Sequence, residues 1–380
     1  MTELLIAAGP GEWRAAWIED GTARELYVER GDTKPPGSRH LGRVVRVVHG
    51  LDAAFVDIGD ERPGFLPLRD VPDGMKAEEG AAVVVEIRRE AWQDKAPRLT
   101  AKVAVAAVLS PDLVPPVQLF PVPGLTPALV LRLPAPPERI IADDAAILAE
   151  LAAAFPGLRP AHRAAVVWPA DIDALFEAAL SPSLTLPGGG VMHLDETRAA
   201  TIIDVDTGMP ERGSSARAAL AANRAAALLV AHELRLRNIG GAVVIDFVGL
   251  DRRDHRDQIR QTLEAALAGD PAKPEVLGWT RLGHLELSRP RRGRSLADAM
   301  LLPGTRAKQP IALAHEALRL LLREARIKPA ANWRLTVAKD VEVALRGSTR
   351  TALQGLQSRL GRSIAIETAV GFEGFDFTAI

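Results

Sequence analysis

The sequence predicts an α+β protein built from several domains. Three observations lead there. The chain has 380 residues, more than one domain of roughly 150 residues accounts for, so two or three domains are expected. Short strand-like runs follow one another closely from His40 to about Val108. From Leu184 onward, strand-like runs alternate with long helical ones. Apolar residues make up 47% and charged residues 25%, the balance of a packed globular chain, which excludes a disordered tail protein. No apolar run reaches the roughly 18 residues that span a bilayer, so a membrane protein is not expected. Met1 to Trp13 lacks a basic segment followed by an apolar one, so no signal peptide is expected. There is no cysteine, which removes disulfides, thiolate zinc sites and cysteine nucleophiles. The expected compartment is the cytoplasm. The net charge is −1, from 47 basic and 48 acidic residues. A nucleic-acid binder that works by global charge should be basic, so any such binding here must rest on local patches.

The elements follow in chain order. Leu4–Ala7, Trp13–Ile18 and Arg24–Val28 read as strands, and Gly31–Ser38 as a Pro/Gly loop. Leu41–Val48, Ala53–Ile58, Phe65–Leu68, Val83–Ile87 and Arg98–Val103 are five short strands, with turns at His49-Gly50 and at Gly59–Gly64. That spacing predicts a small barrel of the oligonucleotide-binding type. Pro111–Pro137 is too rich in proline to be helical. Asp143–Phe155 reads as a helix, Ala164–Trp168 as a strand, and Asp171–Leu180 as a helix with Asp171 as its N-cap. Pro187–Gly190 is a turn between strands, and Val191–Leu194 and Ala200–Val205 form a strand pair. Ser214–Arg237 is a long helix stopped by Asn238-Ile239-Gly240-Gly241. Ala242–Val248 is a strand, Asp254–Leu267 a helix, and Leu282–Leu287 a strand. Arg289–Arg294 is a basic loop and Ser295–Gln309 a linker. Ala312–Arg326, Trp333–Val337, Arg350–Leu360 and Ile364–Glu367 make a small terminal α+β domain.

Two strands carry acids. Asp246 interrupts the apolar run AVVIDFV, which reads as buried on both faces. A buried carboxylate must pair, neutralise or bind a metal. Asp204 and Asp206 end the run TIIDVD. The order strand, long helix, strand fits a βαβ unit. If the two strands are neighbours, roughly 4.8 Å apart, Asp204 faces Asp246. A hard cation relieves their repulsion, and Mg²⁺ suits one or two carboxylates with several waters. The alternative is structural: DVDTG closes a strand as an Asx turn, and Asp246 pairs with Arg235 or Arg237.

Together, TLPGGGVMHLDETRAATIIDVDTG, HELRLRNIGG and VVIDF resemble the ribonuclease E/G family. LDAAFVDIGDERPGFLPL resembles its S1-like RNA-binding domain, and RLGHLELSRPR the segment after its second catalytic strand. The resemblance implies a ribonuclease H-like subdomain (1–37 and 125–181) and an inserted S1-like barrel (38–108). It further implies a deoxyribonuclease I-like catalytic subdomain (182–294) and a small C-terminal domain (310–380). It also implies a magnesium-dependent endoribonuclease that hydrolyses single-stranded RNA to 5′-phosphate and 3′-hydroxyl ends, with Mn²⁺ as an alternative metal. The implied catalytic and metal-binding aspartates are Asp204 and Asp246. Asp206 stands where the family has Asn and adds a candidate ligand. The implied RNA contacts are Phe55 and Phe65, which flank the GDERPG turn, with Lys95, Arg98, Arg281 and Arg289.

Three departures narrow the resemblance. The family's CPxC zinc link is absent, so no zinc and no zinc-linked dimer are expected, leaving a monomer or weak homo-oligomer. No RTAG-type 5′-sensor motif occurs between Pro111 and Pro182. No long Arg- or Pro-rich scaffold follows the last domain. Other readings stay open at this point. Phe55 and Phe65 would also suit a barrel core. The chain would also fit an RNA-binding protein with little or no cleavage, or a nuclease acting on DNA. Asn223, Arg235 and Arg237 read as surface or strand-end residues of the long helix, and the histidines show no metal-ligand spacing.

Overall fold

Three largely buried strands open the chain: β1 (Thr2–Ala8), β2 (Glu12–Glu19) and β3 (Thr22–Arg30). The computed structural model describes every residue except 32–33, 61, 76, 92–94, 104–111, 121–123, 164–166, 169 and 208–215. The next strands are β4 (Arg39–Val48), β5 (Ala53–Asp57), β6 (Gly64–Pro67), β7 (Ala82–Arg89) and β8 (Arg98–Thr100). Each pairs with two others of the set, β4 with both β5 and β7, so the five close into a barrel. Val44, Val56, Leu66, Val85, Ile87 and Leu99 fill it. A sixth strand, β9 (Val117–Phe120), adds to β4 outside the closure.

The proline-rich stretch differs from its expectation. It holds a helix, α1 (Leu125–Arg132). Pro127 falls in the first turn, where backbone N–H groups have no intrahelical acceptor to lose. After it come β10 (Arg139–Ala142), α2 (Leu148–Ala154) and β11 (Ala161–His162), then β12 (Val167–Trp168), β13 (Ala170–Asp171) and α3 (Ile172–Leu180). Residues 164–166 of the expected Ala164–Trp168 strand, and the side chain of Asp171, lie outside the described residues. β10 runs parallel to β1 and extends the first sheet to the order β11-β10-β1-β2-β3. That sheet is covered on both faces. Leu129, Leu151 and Phe155 pack on one, and Phe176, Leu296 and Met300 on the other.

The second large sheet begins with β14 (Ser183–Thr185), β15 (Val191–Glu196) and β16 (Ala200–Asp206). The long helix α4 (Ala216–Leu236) then leads to β17 (Gly241–Asp246). Helix α5 (Arg253–Leu267) precedes β18 (Glu275–Trp279) and β19 (Leu285–Arg289). The order is β14-β15-β16-β17-β19-β18. Ala226, Val230 and Leu234 of α4, and Ile259, Leu263 and Leu267 of α5, recur at helical spacing and pack on this sheet's inner face.

The expected linker is structured. Ser295 caps α6 (Leu296–Met300), its Oγ accepting from the Asp298 N–H at 3.2 Å. Leu296 and Met300 then enter the core beneath the first sheet. The last part holds α7 (Pro310–Ile327), β20 (Trp333–Val337), α8 (Lys339–Arg346), α9 (Arg350–Leu360), β21 (Ala365–Thr368) and β22 (Phe375–Ala379). Its sheet has the order β21-β20-β22. Among the described residues, no helix is long and apolar enough to cross a membrane.

Charges buried between these parts hold them together. Arg14 of β2 is fully buried and reaches Glu12, Asp173 of α3 and Glu316 of α7 at 3.2–3.3 Å. Arg319 of α7 lies 2.7 Å from the same Asp173 carboxylate. Together they pin α3 and α7 to the first sheet. Burial raises the Glu12 carboxyl, but Arg30, Arg14, His315 and Arg319 outweigh it and hold the group at about 2. A second cluster sits where the barrel meets β3. Glu29 pairs with Arg132 at 3.1 Å, and Arg294 lies 3.8 Å from Glu90. Here burial wins, pushing Glu29 up to about 7, with Glu90 adding to the rise against the pull of Arg132.

A carboxyl whose pKa rises on folding favours the folded state while protonated, and that contribution is lost as pH climbs from its unfolded value toward about 7. Thermal unfolding between pH 5 and 8 should therefore show wild-type stability falling as pH rises. Glu29→Gln should flatten that slope, and an unchanged slope in the variant would refute the assignment.

Candidate active site

The site follows from one register. β16 and β17 run parallel, and Asp204 pairs with Asp246 as the last matched position of the ladder. Neighbouring strands lie roughly 4.8 Å apart. Along β16, Thr201, Ile203 and Val205 are buried while Ile202, Asp204 and Asp206 point outward, in the two-residue period of a half-covered strand. Along β17, Val243 and Ile245 go inward and Asp246 outward. This corrects the expectation that AVVIDFV is buried on both faces. The helices cover one face only, and the Asp246 side chain is 58% exposed. Its charge therefore carries no burial penalty that a partner must offset. The structural alternative of an Asp246–Arg pair also falls. Arg235 is engaged with Glu19 and Glu25 of the first sheet, and Arg237 with Glu233 and the Ser181 carbonyl.

Several local features hold the register. Asn238 ends α4 in the left-handed region at φ 52°, as its NIGG sequence predicts. Gly241 enters β17 at φ 107°, where a Cβ would lie 2.7 Å from Arg291. Gly190, in the β14–β15 turn, leaves no room for a side chain either, because a Cβ there would lie 2.6 Å from the Asp206 carbonyl. Asn223 of α4 is fully buried. Its Nδ2 donates to the Val248 carbonyl at 2.7 Å, and its Oδ1 accepts from the Val248 N–H at 3.2 Å. The helix thereby grips the backbone two residues beyond Asp246.

Other polar groups join the aspartates on the open face. His193 of β15 pairs in register with Asp204 on one side and with Ser183 of β14 on the other. The Ser183 Oγ and His193 Nδ1 are 2.9 Å apart. Beyond Asp246, His284 brings its Nε2 to 3.7 Å from Asp246 Oδ2. Sequence reasoning set these histidines aside because their spacing matches no ligand motif. The available signal was alternation: His284, Glu286 and Ser288 share one parity and avoid the core side of β19.

Among the described residues, no three His, Asp or Glu groups are arranged to hold a metal. Asp204 and Asp246 alone offer what Mg²⁺ takes from a protein when waters and phosphate oxygens complete its shell: one or two hard carboxylates.

The other expected contacts divide. Arg281 is exposed at the tip of the β18–β19 turn. Arg289 is a correction: it is 2% exposed, its Nε and Nη2 donate to Asp270 at 2.6 and 3.1 Å, and its Nη1 donates to the Ile239 carbonyl at 2.8 Å. It is committed to the fold and cannot reach a phosphate. Arg294 of the basic loop faces Glu90 near the barrel. On the barrel, Phe55 and Phe65 are register partners with ring centroids 5.9 Å apart. Their neighbours Ala54, Val56 and Leu66 fill the interior, so the two rings lie on the outer surface and not in the core. Arg98 is the partner of Phe65 across β6–β8 and lies 3.6 Å from Asp70. Lys95 is exposed. Arg46, which was not expected, stacks over the Phe55 ring at 5.5 Å.

The burial of Arg289 yields a test. Arg289→Ala leaves Asp270 charged and buried, which should cost about 3–5 kcal/mol. Denaturant unfolding measures that loss. The RNA affinity of the folded fraction should not change, and a selective loss of affinity would restore Arg289 as a contact.

Known proteins resemble the chain over this region. The ribonuclease E/G family model matches residues 138–292, a span that holds β14–β19 with both aspartates. Ribonuclease G of Haemophilus influenzae is 25% identical over 78% of this chain and 81% of its own length. Ribonuclease E of Nostoc is 27% identical over 78% of this chain, which spans 57% of that protein. Ribonuclease G of Salmonella typhimurium is 23% identical over 96% of both chains. The likeness supports a ribonuclease-related role, and these sequence and domain matches together support membership of the chain in the ribonuclease E/G family.

Proposed function

We propose that the protein is a magnesium-dependent endoribonuclease that hydrolyses single-stranded RNA to 5′-phosphate and 3′-hydroxyl ends. The observation that carries this reading is the placement of Asp204 opposite Asp246 on the open face of a sheet. Two adjacent exposed carboxylates repel one another, and nothing in the core requires them. A cation and an RNA phosphate together convert that repulsion into binding. Asp204 and Asp246 would hold the metal, and Asp206, outward on the same strand face, adds a third carboxylate to the local field. Bound Mg²⁺ would supply Lewis-acid polarisation of the scissile phosphate and a more acidic water.

The chain's own residues would do the rest. Phe55 and Phe65 offer π-faces to unpaired bases, and stacking of this kind tolerates any sequence. Arg46 and Arg98 add positive charge beside them, and Lys95 and Arg281 are exposed cations elsewhere on the surface. Asn223 keeps the end of β17 in place. Mn²⁺ is the alternative metal. In the corresponding domain scheme, residues 1–37 and 125–181 form a ribonuclease H-like subdomain, interrupted by an S1-like barrel at 38–108. Residues 182–294 form a deoxyribonuclease I-like catalytic subdomain, and 310–380 a small terminal domain. The β11-β10-β1-β2-β3 order supports the first assignment and the closed barrel supports the second.

The test is cleavage of an end-labelled single-stranded RNA with Mg²⁺. Wild type should cut, Asp204→Asn and Asp246→Asn should each lose at least two orders of magnitude in rate, and all three should remain folded. Equal rates in wild type and variants would sink the reading in favour of an RNA-binding protein without the chemistry. A matched DNA strand cut as fast as the RNA would replace the substrate. Phe55→Ala should weaken RNA binding by about 1–3 kcal/mol, the usual contribution of one stacked base, as read by fluorescence anisotropy.

A further inference from the structure

We propose that His193 and His284 are RNA-contacting residues that hydrogen-bond the sugar–phosphate backbone on either side of the acid pair. The inference rests on the nuclease reading only for where the cut bond lies. The observation is a row running across the strands. Ser183, His193, Asp204 and Asp246 are successive register partners on β14, β15, β16 and β17. His284 follows, its Nε2 3.7 Å from Asp246. At roughly 4.8 Å per strand, the row is about 19 Å long. The two aspartates sit in its middle and an imidazole stands on each side. The row lies on the sheet face that the helices leave open.

The chemistry of the row fits a nucleic-acid backbone. Phosphates and sugars take most of the hydrogen bonds in such complexes, and these bonds set the position of the strand without reading its sequence. The Ser183 hydroxyl engages His193 Nδ1, which orients the ring and turns its other nitrogen to a ligand. The 3.7 Å between His284 and Asp246 is longer than a hydrogen bond, so His284 is not committed to its neighbour. An arginine here would pair with Asp204 or Asp246 and compete with a cation for them. An imidazole N–H donates to a phosphate oxygen. Arg289, which follows on the same strand, is withdrawn into the fold.

The test uses the full chain, a labelled single-stranded RNA and anisotropy in Ca²⁺, which takes carboxylate oxygens as Mg²⁺ does. The double variant His193→Ala/His284→Ala should bind the RNA about a hundredfold more weakly, as expected for losing two hydrogen bonds to charged groups. Asparagine at both positions should recover most of the affinity. Mn²⁺ affinity, measured by electron paramagnetic resonance, should not change in either single variant.

Unchanged RNA affinity in the double variant overturns the proposal. So does recovery by phenylalanine but not by asparagine, which would mean base stacking. So does a loss of Mn²⁺ binding in His284→Ala, which would make His284 a ligand. Cleavage in Mg²⁺ is scored separately. If wild type does not cut, the nuclease reading fails, and the anisotropy series alone upholds or overturns the histidine contacts.

Discussion

The parallel pairing of β16 with β17 is the constraint on which the candidate site depends. A parallel pair needs a crossover connection, and α4 supplies it. Because side chains alternate along a strand, a slip of one residue would turn an aspartate into the core and an isoleucine to the surface. Ile203 and Ile245 on the inner face resist that slip, for they pack among the residues of α4 and α5. The apolar core therefore sets the position of the acids without touching them. Asn223 adds a polar lock at the strand end by satisfying both backbone groups of Val248.

The same helix ties the site to the rest of the molecule. Arg235, near the end of α4, reaches Glu19 and Glu25 of the first sheet. Arg14 and Arg319 join that sheet to α3 and α7 through Asp173. Buried ion pairs of this kind add little net stability, because desolvation opposes the attraction, but losing one partner leaves an uncompensated charge. Their use here is geometric: they set which surfaces meet. Barrel and first sheet meet at Glu29, Arg132, Glu90 and Arg294, where one carboxyl is held near neutrality.

Near-zero net charge and a role with RNA are compatible once the charges are located. Many arginines are internal: Arg14, Arg289 and Arg319 are each at most 2% exposed. The surface cations that remain near the aromatic pair, Arg46 and Arg98, are few but close to it. Binding as proposed here would rely on stacking and local charge and not on a broad positive field.

Much of this was legible in the sequence. The five barrel strands, the strand–helix–strand order around Asp204 and Asp246, and the stop of α4 at Asn238 follow from periods and end signals that act within a few residues. Phe55 and Phe65, which flank one tight turn, stand out only through the family resemblance of their segment. Tertiary structure decided the remainder. It left the Asp246 face of the sheet open, where an apolar run reads as buried on both sides. It withdrew Arg289 to Asp270, made a packed helix of the expected linker at Leu296–Met300, and accommodated Pro127 in a first helical turn. It also placed His193 and His284 beside the acids. The physical reason is common to all of these. The periodicity of an element is a local property, whereas which face is covered and which charge meets which depend on elements far away in the chain.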